Sequence, residues 1–243
     1  MLKTTGVTIR TLKKEWPLCA QLDEASKAYQ KQCEEFLKSN TYIPSQSRYN
    51  LTICHEKKFL WFRVAKVCTR TIFNIFKQGQ VRLDAEHTMF CHYPPKLFES
   101  YFKFAFVRNP WDRLASCWKD KVVESGVDQN YFNFDDSTHE KMKQFESFLD
   151  YVEDQNLEEC DQHLMLQSKL IDLNNSDFIG RHETFESDVA FVMKTLDISF
   201  ETIPRKNPSK TKGYKQFYSP KSIDRVAKMY AKDINKFQYS WEK

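Results

Sequence analysis

Two short stretches carry side chains suited to gripping anions. In Lys66-Val67-Cys68-Thr69-Arg70-Thr71, an ammonium and two hydroxyls fall close together. In Arg108-Asn-Pro-Trp-Asp-Arg-Leu-Ala-Ser116, a guanidinium and a hydroxyl are spaced so that both can reach one phosphate. Two such stretches in one chain point to a ligand with two separate anionic groups. Neither is a glycine-rich ATP loop, because no glycine occurs between Lys57 and Gln78. A plainer reading of 66–71 is a helix start with threonine caps and a solvated lysine.

Each stretch needs a strand to deliver it and a helix to follow it. Phe59-Leu-Trp-Phe-Arg-Val64 is an apolar and aromatic run with a single charge, which fits a buried strand. Ile72-Phe-Asn-Ile-Phe76 suits the helix after it. Lys103-Phe-Ala-Phe-Val107 reads as a second buried strand. Pro110 suits the first position of a helix expected to run to Lys121. At such junctions the unpaired amides of the first helical turn and the positive end of the dipole favour an anion.

The first stretch, Arg63-Val-Ala-Lys66-Val-Cys-Thr69-Arg-Thr71, resembles the 5′-phosphosulfate loop of sulfotransferases that use 3′-phosphoadenosine 5′-phosphosulfate (PAPS). The second resembles their 3′-phosphate motif, Arg-x-Pro-x-x-Arg-x-x-Ser. The carbohydrate branch, Golgi-type and bacterial, is the most similar. One departure is Ala65, where the family usually has proline. The resemblance implies an α/β, three-layer, P-loop-like fold with a central, mainly parallel sheet flanked by helices. It implies PAPS as donor and its bisphosphate product, PAP, with residues 66–71, Arg108 and Ser116 as binding residues. The reaction implied is in-line sulfuryl transfer to an acceptor hydroxyl, with Lys66 neutralising charge on the leaving oxygen. A phosphoryl transferase or an inactive PAP-binding module is the rival reading.

An acceptor hydroxyl needs a base. Asp84-Ala-Glu-His87-Thr-Met-Phe-Cys-His92 offers two histidines between the anion motifs. The placement of His87 matches a base histidine in the heparan and dermatan 2-O enzymes. His92 is the reserve and an acidic residue such as Glu86 a further alternative. Asp161-Gln-His163-Leu-Met-Leu-Gln167 resembles a His-x-x-x-Gln segment near the active site of bacterial relatives, which makes His163 and Gln167 candidate substrate contacts, beside His92. Asp177 to Glu183 reads as a third strand, resembling an Ile-Gly-Arg-x-Glu segment, with a helix from Phe185 to Leu196. In the basic stretch 204–218, the resemblance implies cofactor contact by Lys210 or Lys212.

The remaining chain supplies scaffold. Its 243 residues fit one domain, with 1–50 a helical extension and 51–243 the catalytic core. Tyr42–Tyr49 reads as a loop, 141–151 as one helix and 222–237 as another. Aromatic residues make up 15% of the chain and glycine is scarce, which excludes extensive disorder. A formal charge of +4 permits an anionic ligand without demanding nucleic acid. Seven scattered cysteines without a C-x-x-C pair read as free thiols, and no metal is expected. No run has the length of a membrane span. The expected compartment is the cytoplasm for a bacterial protein, or the Golgi lumen for a truncated eukaryotic enzyme. The expected acceptor is a glycan or a small-molecule alcohol or amine.

Overall fold

The computed structural model describes residues 5–7, 43–45, 48–92, 98–125, 131–203 and 213–242, with backbone only for 5–7, 43–45, 48 and 88–92. The chain divides into two compact units. The first comprises Met1–Arg63, Cys68–Phe106 and Leu170–Pro204; the second comprises Val64–Val67, Val107–Lys169 and Arg205–Lys243.

In the first unit, β1 (Thr5–Val7) and β2 (Ile43–Ser45) form an antiparallel pair. The main sheet contains β3 (Arg48–Cys54), β4 (Phe59–Phe62), β5 (Ala85–His92), β6 (Phe102–Val107) and β7 (Phe178–Arg181), in the order β5-β3-β4-β6-β7. β4 and β6 pair in parallel, Phe59 opposite Phe102, as the strand-helix pattern requires. β3 runs antiparallel to both β4 and β5, so the sheet is mixed. The reason is local: only residues 55–58 join β3 to β4, too few for a parallel crossover. The segment expected to be a loop, Tyr42–Tyr49, instead contains β2 and the start of β3, whereas residues 8–42 of the stretch 1–50, expected to be a helical extension, lie outside the described residues.

All four residues of β4 are buried. Helix α1 (Thr69–Gln78) turns Ile72, Ile75 and Phe76 inward, at the i, i+3, i+4 spacing of one face. Phe59 stacks on Phe76 at 5.1 Å between centroids, and Trp61 lies parallel to Phe104 at 6.0 Å. Gly180 in β7 is explained by packing. A Cβ there would stand 2.5 Å from the ring of Phe106, which is itself buried and wedged against Phe185. Gly180→Ala is therefore expected to cost about 1–3 kcal/mol through overpacking, seen as a lower Tm in a thermal melt. An unchanged Tm would mean that the Phe106 ring moves aside freely.

The second unit is mostly helical. α2 (Pro110–Trp118) starts as expected, with Pro110 at its first position and the Asn109 side chain accepting from the Trp111 amide at 3.1 Å. It continues as a π turn, Lys119–Val123, a wider winding often found at functional sites. The helix expected over 141–151 is two: α3 (Asp136–Met142) and α4 (Phe145–Glu153), broken at Lys143 and Gln144. Phe185–Thr195, in the first unit, is α5. The terminal helix is also two, α6 (Pro220–Met229) and α7 (Ala231–Phe237), meeting at Tyr230. Trp111, Trp118, Phe145, Phe148, Leu149, Val152, Val226 and Tyr230 belong to one core. Phe132 and Phe134 pack on Phe148 and Tyr151, so these aromatics secure the segment that carries Tyr131.

Candidate active site

The stretch 63–71 leaves β4, crosses a short polar turn and becomes α1. Lys66 and Cys68 both have positive φ, 68° and 50°, a strained backbone for residues other than glycine. Two guanidinium groups hold this shape. Arg113 donates from Nε to the Ala65 carbonyl at 3.0 Å, and Arg108 donates from Nη1 to the Lys66 carbonyl at 3.1 Å. Arginine thus fastens the turn where glycine would have relaxed it. Cys68 gives α1 no side-chain cap, and the hydroxyls of Thr69 and Thr71 make no side-chain hydrogen bond to a described residue. Val67 is buried, Cys68 is half-buried and in no disulfide, and Arg70 is exposed.

Lys66, Arg108 and Ser116 all belong to the second unit. The Lys66 ammonium lies 3.1 Å from Asp120 Oδ2 in the π turn. Burial pulls its pKa below the ordinary lysine value, against the opposing pull of Asp120. Arg108 is gripped by Asp112 through Nε and Nη2, at 2.7 and 2.8 Å. With Nη1 on Lys66, three of its five N–H groups are engaged, and two face no described partner. The Ser116 hydroxyl makes no side-chain hydrogen bond to a described residue. A lysine, a pre-aimed arginine and an unengaged hydroxyl make a donor set for phosphate-like anions.

Gln167 does not fill its expected role in substrate binding. It is fully buried; its Oε1 accepts from the Arg108 amide at 2.9 Å and its Nε2 donates to the Arg108 carbonyl at 2.8 Å. Both ends of the amide are spent on one backbone residue, so it positions Arg108. The Gln167 amide in turn donates to buried Asp233, at 2.6 Å.

The histidines differ in kind. His87, in the first unit, lies 4.5 Å from the ring of Phe73, and its Nδ1 accepts from Arg63 at 3.2 Å. A guanidinium only donates, so neutral His87 carries its proton on Nε2, which lies 3.6 Å from Glu86. Its pKa is lowered by partial burial and by Arg63, with Glu86 opposing. His163, in the second unit, has the opposite tautomer: Nδ1 donates to Asp161 at 2.9 Å. The backbone position of His92 is at the end of β5, but its side chain lies outside the described set, as do Lys210 and Lys212.

Sequence reasoning left five supporting residues without a role: Asp112, Arg113, Asp120, Asp161 and Asp233. Asp112 was detectable as a partner four residues after Arg108. Asp161 lies only two residues before His163, whereas Arg113, Asp120 and Asp233 act across long separations that no local spacing reveals. Among the described residues, no group of three metal-ligating side chains occurs, and no helix is long and apolar enough to cross a membrane.

In both stretches a strand runs into a helix, the local architecture that favours an anion at the first helical turn. The Sulfotransferase family model matches residues 49–240, and the chain belongs to that family. It is 28% identical over 192 residues to carbohydrate sulfotransferase 10 of Xenopus laevis, covering 67% of this chain and 53% of that protein. The human protein of the same name is 28% identical over 172 residues, covering 59% and 48%. Carbohydrate sulfotransferase 14 of Danio rerio is 27% identical over 154 residues, covering 56% and 42%. The chain spans about half the length of the curated relatives it matches. No solved structure matches it.

Proposed function

We propose that this protein transfers a sulfuryl group from PAPS to a carbohydrate hydroxyl by in-line displacement, with a histidine as base. The observation that carries the reading is the unspent donor capacity of Lys66, Arg108 and Ser116 within one unit. PAPS would supply the sulfuryl group and two anionic ends, and this donor set fits both. Arg108 and Ser116 would hold the 3′-phosphate, while the amides of residues 67–71 and the hydroxyls of Thr69 and Thr71 would hold the 5′ end. Lys66 would neutralise charge on the leaving phosphate oxygen. Lys210 or Lys212 would add a further cofactor contact. The carbohydrate acceptor rests on the names of the relatives.

Calorimetric titration with PAP, AMP and ATP tests the donor. Tight binding is expected for PAP alone. Arg108→Ala should weaken it by about 10–100-fold, the scale of one or two hydrogen bonds to a charged group. Equal binding of all three nucleotides would remove the 3′-phosphate from the account and with it the reading.

A further inference from the structure

The second unit contains an acid-base pair that the anion site leaves unused. The Asp161 carboxylate accepts the His163 Nδ1 proton at 2.9 Å, the His163 amide at 2.9 Å and the Tyr131 hydroxyl at 3.0 Å. An aspartate so held fixes the imidazole with its lone pair on Nε2. That nitrogen makes no hydrogen bond to a described residue and is not sealed in the core. The ring itself is held edge-on to Tyr131, 4.7 Å between centroids.

One side chain ties this pair to the leaving-group lysine. Arg113, 1% exposed, donates to the carbonyls of Ala65 at 3.0 Å, Met165 at 2.8 Å and Gln162 at 2.8 Å. A single guanidinium therefore spans the immediate neighbours of Lys66 and His163. A second route runs along the surface. Lys66 and Lys121 share Asp120, each at 3.1 Å, and Lys121 lies over the Tyr131 ring at 4.7 Å.

From this arrangement we infer that His163, oriented by Asp161, is the base that takes the acceptor proton, and that His87 is not. The inference rests on the sulfotransferase reading above. In the step, the acceptor O–H bond breaks to His163 Nε2 and the freed oxygen bonds to sulfur. The bond from sulfur to the phosphate oxygen breaks, leaving its electron pair on that oxygen, where Lys66 offsets the charge. The resulting imidazolium is stabilised by Asp161 and later returns its proton to solvent. Asp161 is a positioning residue.

The charged and titratable groups facing His163 are Asp161, Lys121, Arg113 and Tyr131. Burial lowers the His163 pKa below the ordinary imidazole value, Asp161 opposes this, and Lys121 and Arg113 reinforce it. The net pull is toward the neutral imidazole that a base requires, so loss of activity falls on the acidic side.

The test uses radiolabelled PAPS with a panel of unsulfated oligosaccharides, PAP calorimetry and nitrogen-15 NMR of the imidazoles. His163→Gln should lower turnover by about 10²–10⁴-fold, the range for a positioned base, while PAP affinity is retained. Asp161→Asn should lower turnover and move the acidic limb of the pH profile to lower pH, since Asp161 supports protonation of His163. His87→Gln should keep the wild-type limb. In the spectra, His163 should be protonated on Nδ1 and His87 on Nε2. Full turnover in a folded His163→Gln with the limb unmoved, or loss of the limb in His87→Gln, overturns the inference. Failure of the wild type to bind PAP sinks the sulfotransferase reading itself, a separate result.

Discussion

Lys66→Met is expected to lower kcat by about 10²–10³-fold, the usual cost of removing one group aimed at charge that develops in the transition state. The side chain of methionine keeps the apolar stem of a residue whose ammonium is the only part facing Asp120. The fold should therefore persist, and the melting temperature serves as the control. KM for the donor should rise less than kcat falls, because the charge on the leaving oxygen is greatest late in the transfer. Asp120→Asn offers a companion measurement with a definite sign. Burial already lowers the Lys66 pKa and Asp120 holds it up, so neutralising Asp120 lowers it further. The alkaline limb of the pH profile should then begin at lower pH. An unmoved limb, or a variant as active as wild type, would show that Lys66 does not meet the leaving group.

The second large effect is structural. Asp233 is completely buried and accepts from the Gln167 amide at 2.6 Å, the Ser168 amide at 3.0 Å and the Ser168 hydroxyl at 2.6 Å. Asp233→Ala would strand two backbone donors and empty the volume that the carboxylate filled. Each stranded donor costs about 1–3 kcal/mol, so a total of roughly 3–5 kcal/mol is expected. For a chain of this size that corresponds to a fall in Tm of about 6–20 °C. The same loss should weaken PAP binding without any direct contact. The Gln167 side chain clasps both backbone groups of Arg108, and loosening the Gln167–Lys169 turn loosens that clasp. Asp233→Asn keeps one acceptor oxygen and should lose part of both effects. A variant with wild-type stability would mean that water or rearranged backbone satisfies those donors.

Much of this architecture is legible in the residues themselves. The strands at 59–62 and 102–107 are dense in aromatics, and each ends in a polar junction, so both anion stretches can be assigned to strand-helix turns. Pro110 and Asn109 announce the start of α2 through local chemistry alone. What local patterns miss is pairing at a distance. The antiparallel pairing of β3 with β5 joins strands separated along the chain by β4 and α1. The breaks at Lys143–Gln144 and Tyr230 interrupt apolar patterns that would suit a single helix on either side. The difference between the histidines is of the same kind. His87 and His163 have similar surroundings in sequence, with an acidic residue one or two positions before each. Only the folded chain sets a guanidinium against one ring and a carboxylate against the other.

The buried guanidinium of Arg113 has a consequence for how such an enzyme can change. By bonding at once to Ala65, Gln162 and Met165, it acts as a spacer of fixed length between two segments of chain. Substitutions that alter this spacing would disturb the neighbourhoods of Lys66 and His163 together. A new acceptor is therefore best accommodated by residues outside the reach of this one side chain, where shape can vary while the gauge stays put.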